Sequence, residues 1–210
     1  MTTYLGACAF VDDTIWIARS KPAMEKILEL ASEFYDFNDI QINGQKTKVI
    51  AINQDGNTNT SFTLNNQNIG EENQESYQRY LGIFINSEGT SIASRQVIKK
   101  EIQSFHEAIC HKAITEKQAH YLIHNVLFPA ILYRTQACFI PNSQCEEWNR
   151  IIRGIIKAKA KLPRDLPNSI IHHPDFYNIK TLQQAQAEQK ITDLMIRLES
   201  SDIIERITIQ

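Results

Sequence analysis

Residues 8–18 read CAFVDDTIWIA, with Asp12 and Asp13 set between Phe10-Val11 and Ile15-Trp16-Ile17. β-branched and aromatic residues favour strands. Residues 4–10 (YLGACAF) and 14–18 (TIWIA) are therefore predicted as two strands, and Val11-Asp12-Asp13 is short enough to be a hairpin tip. Burying the two carboxylates unpaired would cost on the order of several kcal/mol each, so water or a cation must satisfy them. Hard carboxylate oxygens suit Mg²⁺. Successive strand residues point to opposite faces, so a metal site here needs a further carboxylate from elsewhere. The plainer alternative is a solvated turn, because Asp favours turns. Against it, tight turns between apolar strands prefer Asn-Gly or Asp-Gly, and no glycine is present here.

Downstream of the hairpin, Ser20 and Pro22 open a predicted helix. Met24, Ile27, Leu28, Ala31, Phe34 and Tyr35 recur at three- and four-residue steps along one face, and Asn38-Asp39 ends it. Ile40-Gln41-Ile42 and Lys48 to Asn53 are predicted strands around an Asn43-Gly44 turn. A polar loop at 54–60 follows, then strand content at Ser61 to Leu64, near Ile69 and at Tyr80 to Ile85. Beyond about residue 90 the period becomes helical. Ile98, Ile102, Phe105 and Ile109 share one face within 94–113. Thr115-x-x-Gln118, Ser143-x-x-Glu146 and Thr181-x-x-Gln184 are capping-box patterns, and Phe128-Pro129 ends or kinks the helix between the first two. The fold class is α+β.

Net charge is −2 over 210 residues, so the chain as a whole is not a polycation built for nucleic acid. Cys8, Cys110, Cys138 and Cys145 are too widely spaced for a disulfide scaffold or a CxxC site. No run is long and apolar enough to span a bilayer, and the start lacks a signal-peptide pattern. These features predict a soluble intracellular chain with no membrane partner.

Phe10-Val11-Asp12-Asp13 followed by Thr14-Ile15-Trp16-Ile17-Ala18 resembles motif C of reverse transcriptases, most of all the non-LTR retrotransposon branch. Val11 stands where that branch carries Ala. Asn43-x-x-Lys46-Thr47 resembles motif D, and Tyr80-Leu81-Gly82-Ile83 resembles motif E, in the family's order. The resemblance covers residues 4–90 well, is diffuse over 91–165 and weak beyond. It implies the C-terminal half of a polymerase palm at 1–90 (β-hairpin, helix, antiparallel strands), a helical thumb-like region at 91–165 and a helical extension at 166–210.

The resemblance implies two-metal, RNA-directed DNA polymerisation on an RNA or DNA template-primer, with Mg²⁺ as cofactor. Asp12 would be the main metal ligand of this hairpin and Asp13 the supporting one. Lys46 would approach the phosphates and protonate the leaving group, or is simply a solvated lysine at a strand start. Tyr80, Leu81 and Gly82 would help place the primer end, or simply form a buried strand with Gly82 allowing close approach. The family also needs a motif A carboxylate well upstream of motif C. Only eleven residues precede Asp12, none of them acidic, and Asp36, Asp39 and Asp55 fall in the wrong order. The expectation is a truncated or degenerate palm with thumb, inactive alone and missing an N-terminal half.

Arg150, Arg153, Lys157 and Lys161 recur at steps of three and four, opposite Trp148, Ile151, Ile152, Ile155 and Ile156. With Lys159 and Arg164 they make an acid-free basic stretch over 150–164 that could track a nucleic-acid backbone, or be a solvated helix face. Lys159 falls toward the apolar side, where the helix ends or the side chain snorkels. His120 and His124, like His106 and Cys110, have ligand-like spacing without an HExxH pattern and are expected to pack or solvate. Three readings follow: a reverse-transcriptase-like fragment, a non-catalytic nucleic-acid-binding remnant, or an unrelated metal-dependent phosphohydrolase using Asp12 and Asp13.

Overall fold

The computed structural model describes residues 6–52, 61–64, 67–70 and 77–199, with backbone only at Gln67 and Asn68. The loop predicted at 54–60, Tyr4-Leu5 of the first predicted strand and residues 200–210 lie outside these. The chain divides into two units, residues 1–90 and 91–210.

Among its described residues the first unit contains three antiparallel strand pairs and one long helix. Strands β1 (Ala7–Phe10) and β2 (Asp13–Trp16) pair with Phe10 opposite Asp13. The turn is therefore Val11-Asp12 alone, and Asp13 already belongs to the second strand. Helix α1 (Lys21–Phe37) follows, with Pro22 in its first turn, where a missing N–H costs no helical bond. It ends as the sequence suggests. Asp39 takes φ 55°, its N–H donates to Asp36 O and the Ile40 N–H donates to Tyr35 O, closing a Schellman motif. Strands β3 (Phe62–Leu64) and β4 (Gln67–Ile69) pair, as do β5 (Gln78–Tyr80) and β6 (Ile83–Ile85). The buried core of this unit is small: Leu28, Phe62, Leu64 and Ile69, with Trp16, Met24, Ile42 and Val49 packed against it.

Two strand expectations change here. Residues 40–52 contain one isolated bridge, at Val49, in place of the strand predicted at 40–42 and of the strand predicted from Lys48, whose last residue, Asn53, lies outside the described residues. Ile42 and Val49 pack against the small core while Ile40 and Ile52 are exposed, so each segment is anchored over only part of its length. Tyr80 to Ile85 is not one strand but the turn and second arm of a hairpin. Leu81 (φ 47°) and Gly82 (φ 82°) both take left-handed backbone, as a type I′ turn requires. Gly82 serves that conformation, which is the physical reason the apolar run YLGIFI folds back on itself.

The second unit is helical: α2 (Ile92–Cys110), α3 (Glu116–Leu122), α4 (Phe128–Thr135), α5 (Asn142–Lys159), α6 (Asn168–His172) and α7 (Leu182–Glu199). One core joins Ile98 and Ile102 of α2 to Ile131 of α4, Trp148, Ile152 and Ile156 of α5, and Leu182 and Ala185 of α7. It runs across residue 165. Burying one such isoleucine contributes about 1.5–3 kcal/mol, which outweighs the modest helix propensity of a β-branched side chain.

Caps were legible with one exception. Thr115 and Gln118 form a reciprocal capping box, and so do Thr181 and Gln184. Ser143 does not cap α5: the helix starts at Asn142 behind Pro141, whose fixed φ gives the extended entry. Phe128-Pro129 does not end the helix either. Residues Ile123–Leu127 form a π turn, and the Phe128 N–H donates to Ile123 O. The widened turn accommodates Pro129, and Asn125 Nδ2 donates to the Tyr121 carbonyl at 2.9 Å.

Candidate functional site

The hairpin tip presents both aspartates to solvent: Val11, Asp12 and Asp13 are all exposed. Val11 has φ 53°, which matches a type II′ turn, where glycine is the usual first central residue. A β-branched residue there is strained. The arrangement holds Asp12 and Asp13 on adjacent backbone positions with their carboxylates outward. As hard anionic donors they match Mg²⁺, which commonly takes one or two carboxylates and several waters. Among the described residues no group of three or more His, Cys, Asp or Glu side chains could hold a metal ion. The donor type fits one ion; the donor number falls short of a two-ion site.

Asn43-x-x-Lys46-Thr47 is a tight turn whose side-chain hydrogen bonding is largely internal. Asn43 Oδ1 accepts from the Gln45 N–H at 3.1 Å and the Lys46 N–H at 3.3 Å. The Thr47 hydroxyl donates to the Asn43 carbonyl at 3.0 Å. Asn and Thr thus shape the turn, and Lys46 is displayed on it, exposed. Tyr80, Leu81 and Gly82 occupy the β5–β6 turn and are half-buried. The three boxes sit on three separate turns of the first unit.

The basic residues of the second unit separate in space. Arg150 is exposed and helps line a groove of about 490 Å³ with Gln103, His106, Glu107, Ile151 and Gly154. Arg153 is buried and pairs with Glu146 at 2.5 Å. That hydrogen bond is the main reason the Glu146 carboxyl is held below its usual range, although its own burial works the other way. Lys157 is also buried. Its Nζ donates to Arg164 O (3.1 Å), Leu166 O (2.6 Å) and Asn168 Oδ1 (3.1 Å). Lys161 lies beyond the helix. It takes φ 54° as the left-handed residue of a Schellman motif, with Leu162 N–H donating to Lys157 O at 2.8 Å. A common exposed stripe of Arg150, Arg153, Lys157 and Lys161 is therefore not what forms. Charge periodicity cannot tell an exposed cation from one that folds back onto carbonyls.

Several further polar residues hold this unit together, and of Lys159, Asn149 and Gln186 only Lys159 was singled out from the sequence. Lys159 ends α5, and its Nζ donates to Cys110 O and Lys112 O at the C-terminal end of α2, where positive charge is favoured. Buried Asn149 accepts from the Leu182 N–H and donates to Gln183. Buried Gln186 bonds both the N–H and the carbonyl of Ile140. Cys138 and Cys145 are buried free thiols. Burial raises both, Cys145 to about 11, so neither is an activated nucleophile.

Over 177 residues the chain is 21 % identical to a protein described as a retrovirus-related Pol polyprotein from type-1 retrotransposable element R2 of Nasonia vitripennis. The likeness takes in 81 % of this chain and 17 % of that protein. The chain thus spans less than a fifth of the length of the relative it matches. No protein-family model and no solved structure matches the chain. The likeness to a retrotransposon polyprotein agrees with the family read from the boxes.

Proposed function

We propose that the chain is a reverse-transcriptase-related polypeptide of non-LTR type. In this reading residues 1–90 correspond to the C-terminal half of a palm, 91–165 to a thumb-like region and 166–210 to a helical extension. The observation that carries it is the two-residue hairpin turn that projects Asp12 and Asp13 into solvent, followed in order by the Lys46 turn and the Tyr80–Ile83 hairpin. The likeness to the R2 polyprotein supports the same origin.

Asp12 and Asp13 would hold Mg²⁺ through outward carboxylate oxygens, and Lys46 would stand ready to neutralise or protonate a phosphate oxygen. Bound Mg²⁺ supplies charge neutralisation on the triphosphate and activation of the primer hydroxyl. The further carboxylate would come from another polypeptide segment. Phe10 and Val11 at the hairpin tip and Leu30, Phe34 and Phe37 on α1 are exposed apolar residues that such a segment could cover.

Primer extension tests this. The purified chain with Mg²⁺ is expected to extend no primer on RNA or DNA templates. Adding a polypeptide that carries an upstream palm half with its acidic residue is expected to produce extension that Asp12→Asn abolishes. Strong extension by the chain alone would overturn the half-site reading. Mg²⁺-dependent phosphoester hydrolysis by the chain alone would favour the phosphohydrolase instead.

A further inference from the structure

Two imidazoles from different elements hold the backbone carbonyls of Tyr177 and Ile179, between α6 and α7, and a third imidazole stacks against one of them. His120 Nε2, from α3, lies 2.7 Å from the Tyr177 carbonyl oxygen. His172 Nδ1, from α6, lies 2.6 Å from the Ile179 carbonyl oxygen. His124, from the π turn, stacks against His120 with ring centroids 4.5 Å apart, beside the Asn178 backbone, which acts on its ring. A carbonyl oxygen can only accept, so the ring nitrogen facing it must carry the proton. That fixes His120 as the Nε2–H tautomer and His172 as the Nδ1–H tautomer. A second proton must go to the opposite nitrogen. In His124 and His172 one nitrogen, Nε2, is buried and has no partner among the described residues.

We infer that this three-histidine clasp is an acid-sensitive latch. Proton uptake releases Tyr177–Ile179 and the segment leading into α7, while the packing of α2 against α5 persists. A proton on His124 Nε2 would be a buried charge with no acceptor. Burial, then the neighbouring His120 and Lys180, lower the His124 pKa below 6.5, and only the Asn178 backbone opposes them. The neutral form is thus the one the fold prefers. Its contribution is present above the unfolded value near 6.5 and lost as pH falls toward the folded value.

The surrounding charges do not relieve the added proton. Lys180 is itself cationic and pairs with Glu188 of α7. His173 lies 3.7 Å from Asp175, on an exposed part of the same segment. The Phe128 ring on α4, centred 5.6 Å from the His124 ring, is uncharged. No carboxylate is among the groups acting on His124. The released segment has its own reporters: the Asn178 N–H bonds His173 O and the Ile179 N–H bonds Ile171 O, both at 3.1 Å.

Amide hydrogen exchange on the full chain, corrected for the intrinsic pH dependence, tests the latch. Between pH 7.5 and 5.0 the protection of Asn178 and Ile179 is expected to fall at least about tenfold, with α5 amides unchanged. His124→Gln keeps a donor beside Asn178 but does not titrate, and should blunt that loss at least about threefold. Equal loss in α5, no loss at all, or an unblunted loss in the variant would each overturn the proposal. Should the variant fail to fold, ring-proton NMR of the wild-type chain decides. A His124 titration below pH 6.5 that tracks the loss of protection supports the latch, and one at or above 6.5 refutes it.

Discussion

Lys157 Nζ, near the end of α5, lies 2.6 Å from the carbonyl oxygen of Leu166, nine residues further along the chain. The same ammonium reaches Arg164 O and Asn168 Oδ1, so one buried cation organises the whole connection into α6. Replacing it by Met keeps the length of the stem and strands three acceptors. Hydrogen bonds to a charged group contribute about 1.5–3 kcal/mol, and Lys157→Met is expected to lose about that much stability. Urea unfolding of the full chain measures it. Amides in 160–168 should lose protection first.

Arg153 makes a second inward-facing cation, and its pair with Glu146 carries a pH signature. Glu146 titrates below its ordinary value near 4.5 because Arg153 donates to it. A depressed carboxylate contributes stability that is present above the unfolded pKa and lost as pH falls through the folded one. Stability of the wild-type chain should therefore decline from pH 5 toward pH 3. Arg153→Met should flatten the Glu146 part of that decline. An NMR titration of the Glu146 side chain shows it directly: its midpoint should rise in the variant.

These two side chains also show where sequence reading stops. The amphipathic helix itself was legible, because Ile152, Ile155 and Ile156 recur with a helical period and are buried as that period requires. The capping boxes at Thr115 and Thr181 were legible because a short-range bond makes the pattern. The fate of Lys157 was not, because it depends on carbonyls whose positions are set by a loop that has no period, and that of Arg153 was not, because it folds back onto Glu146, seven residues earlier on the same helix. The hairpin tip was legible in kind but not in register. VDD fits a three-residue tip as well as a two-residue turn, and the Phe10–Asp13 pairing decides between them.

That register leaves Val11 at φ 53°, where a β-carbon is unfavourable by about 1–2 kcal/mol. Glycine removes the clash and adds back some unfolded-state entropy, about 0.5–1 kcal/mol. Val11→Gly is therefore expected to stabilise the first unit slightly, by up to about 1 kcal/mol, and not to destabilise it. Chemical unfolding followed by Trp16 fluorescence reports on this hairpin. A clear loss of stability would mean that the exposed valine makes a contact worth more than its backbone strain.

Lys161 and Arg150 separate structure from binding. Lys161 stands at the left-handed position of the Schellman motif that ends α5, where glycine is the favoured residue. Lys161→Gly should raise stability by about 1 kcal/mol. Arg150 is exposed on α5 and makes no comparable backbone bonds among the described residues, so Arg150→Ala should leave stability within about 0.5 kcal/mol. If the second unit holds a nucleic-acid backbone, each of the two changes removes a phosphate contact. Binding should weaken evenly across sequences, and the slope of log affinity against log salt should fall by about 1 per contact. Arg153→Met should change binding only as far as it unfolds the chain. Fluorescence anisotropy with a labelled single-stranded oligonucleotide over a salt series measures all three. Unchanged slopes in both the Lys161 and Arg150 variants would remove the basic stretch from the binding reading.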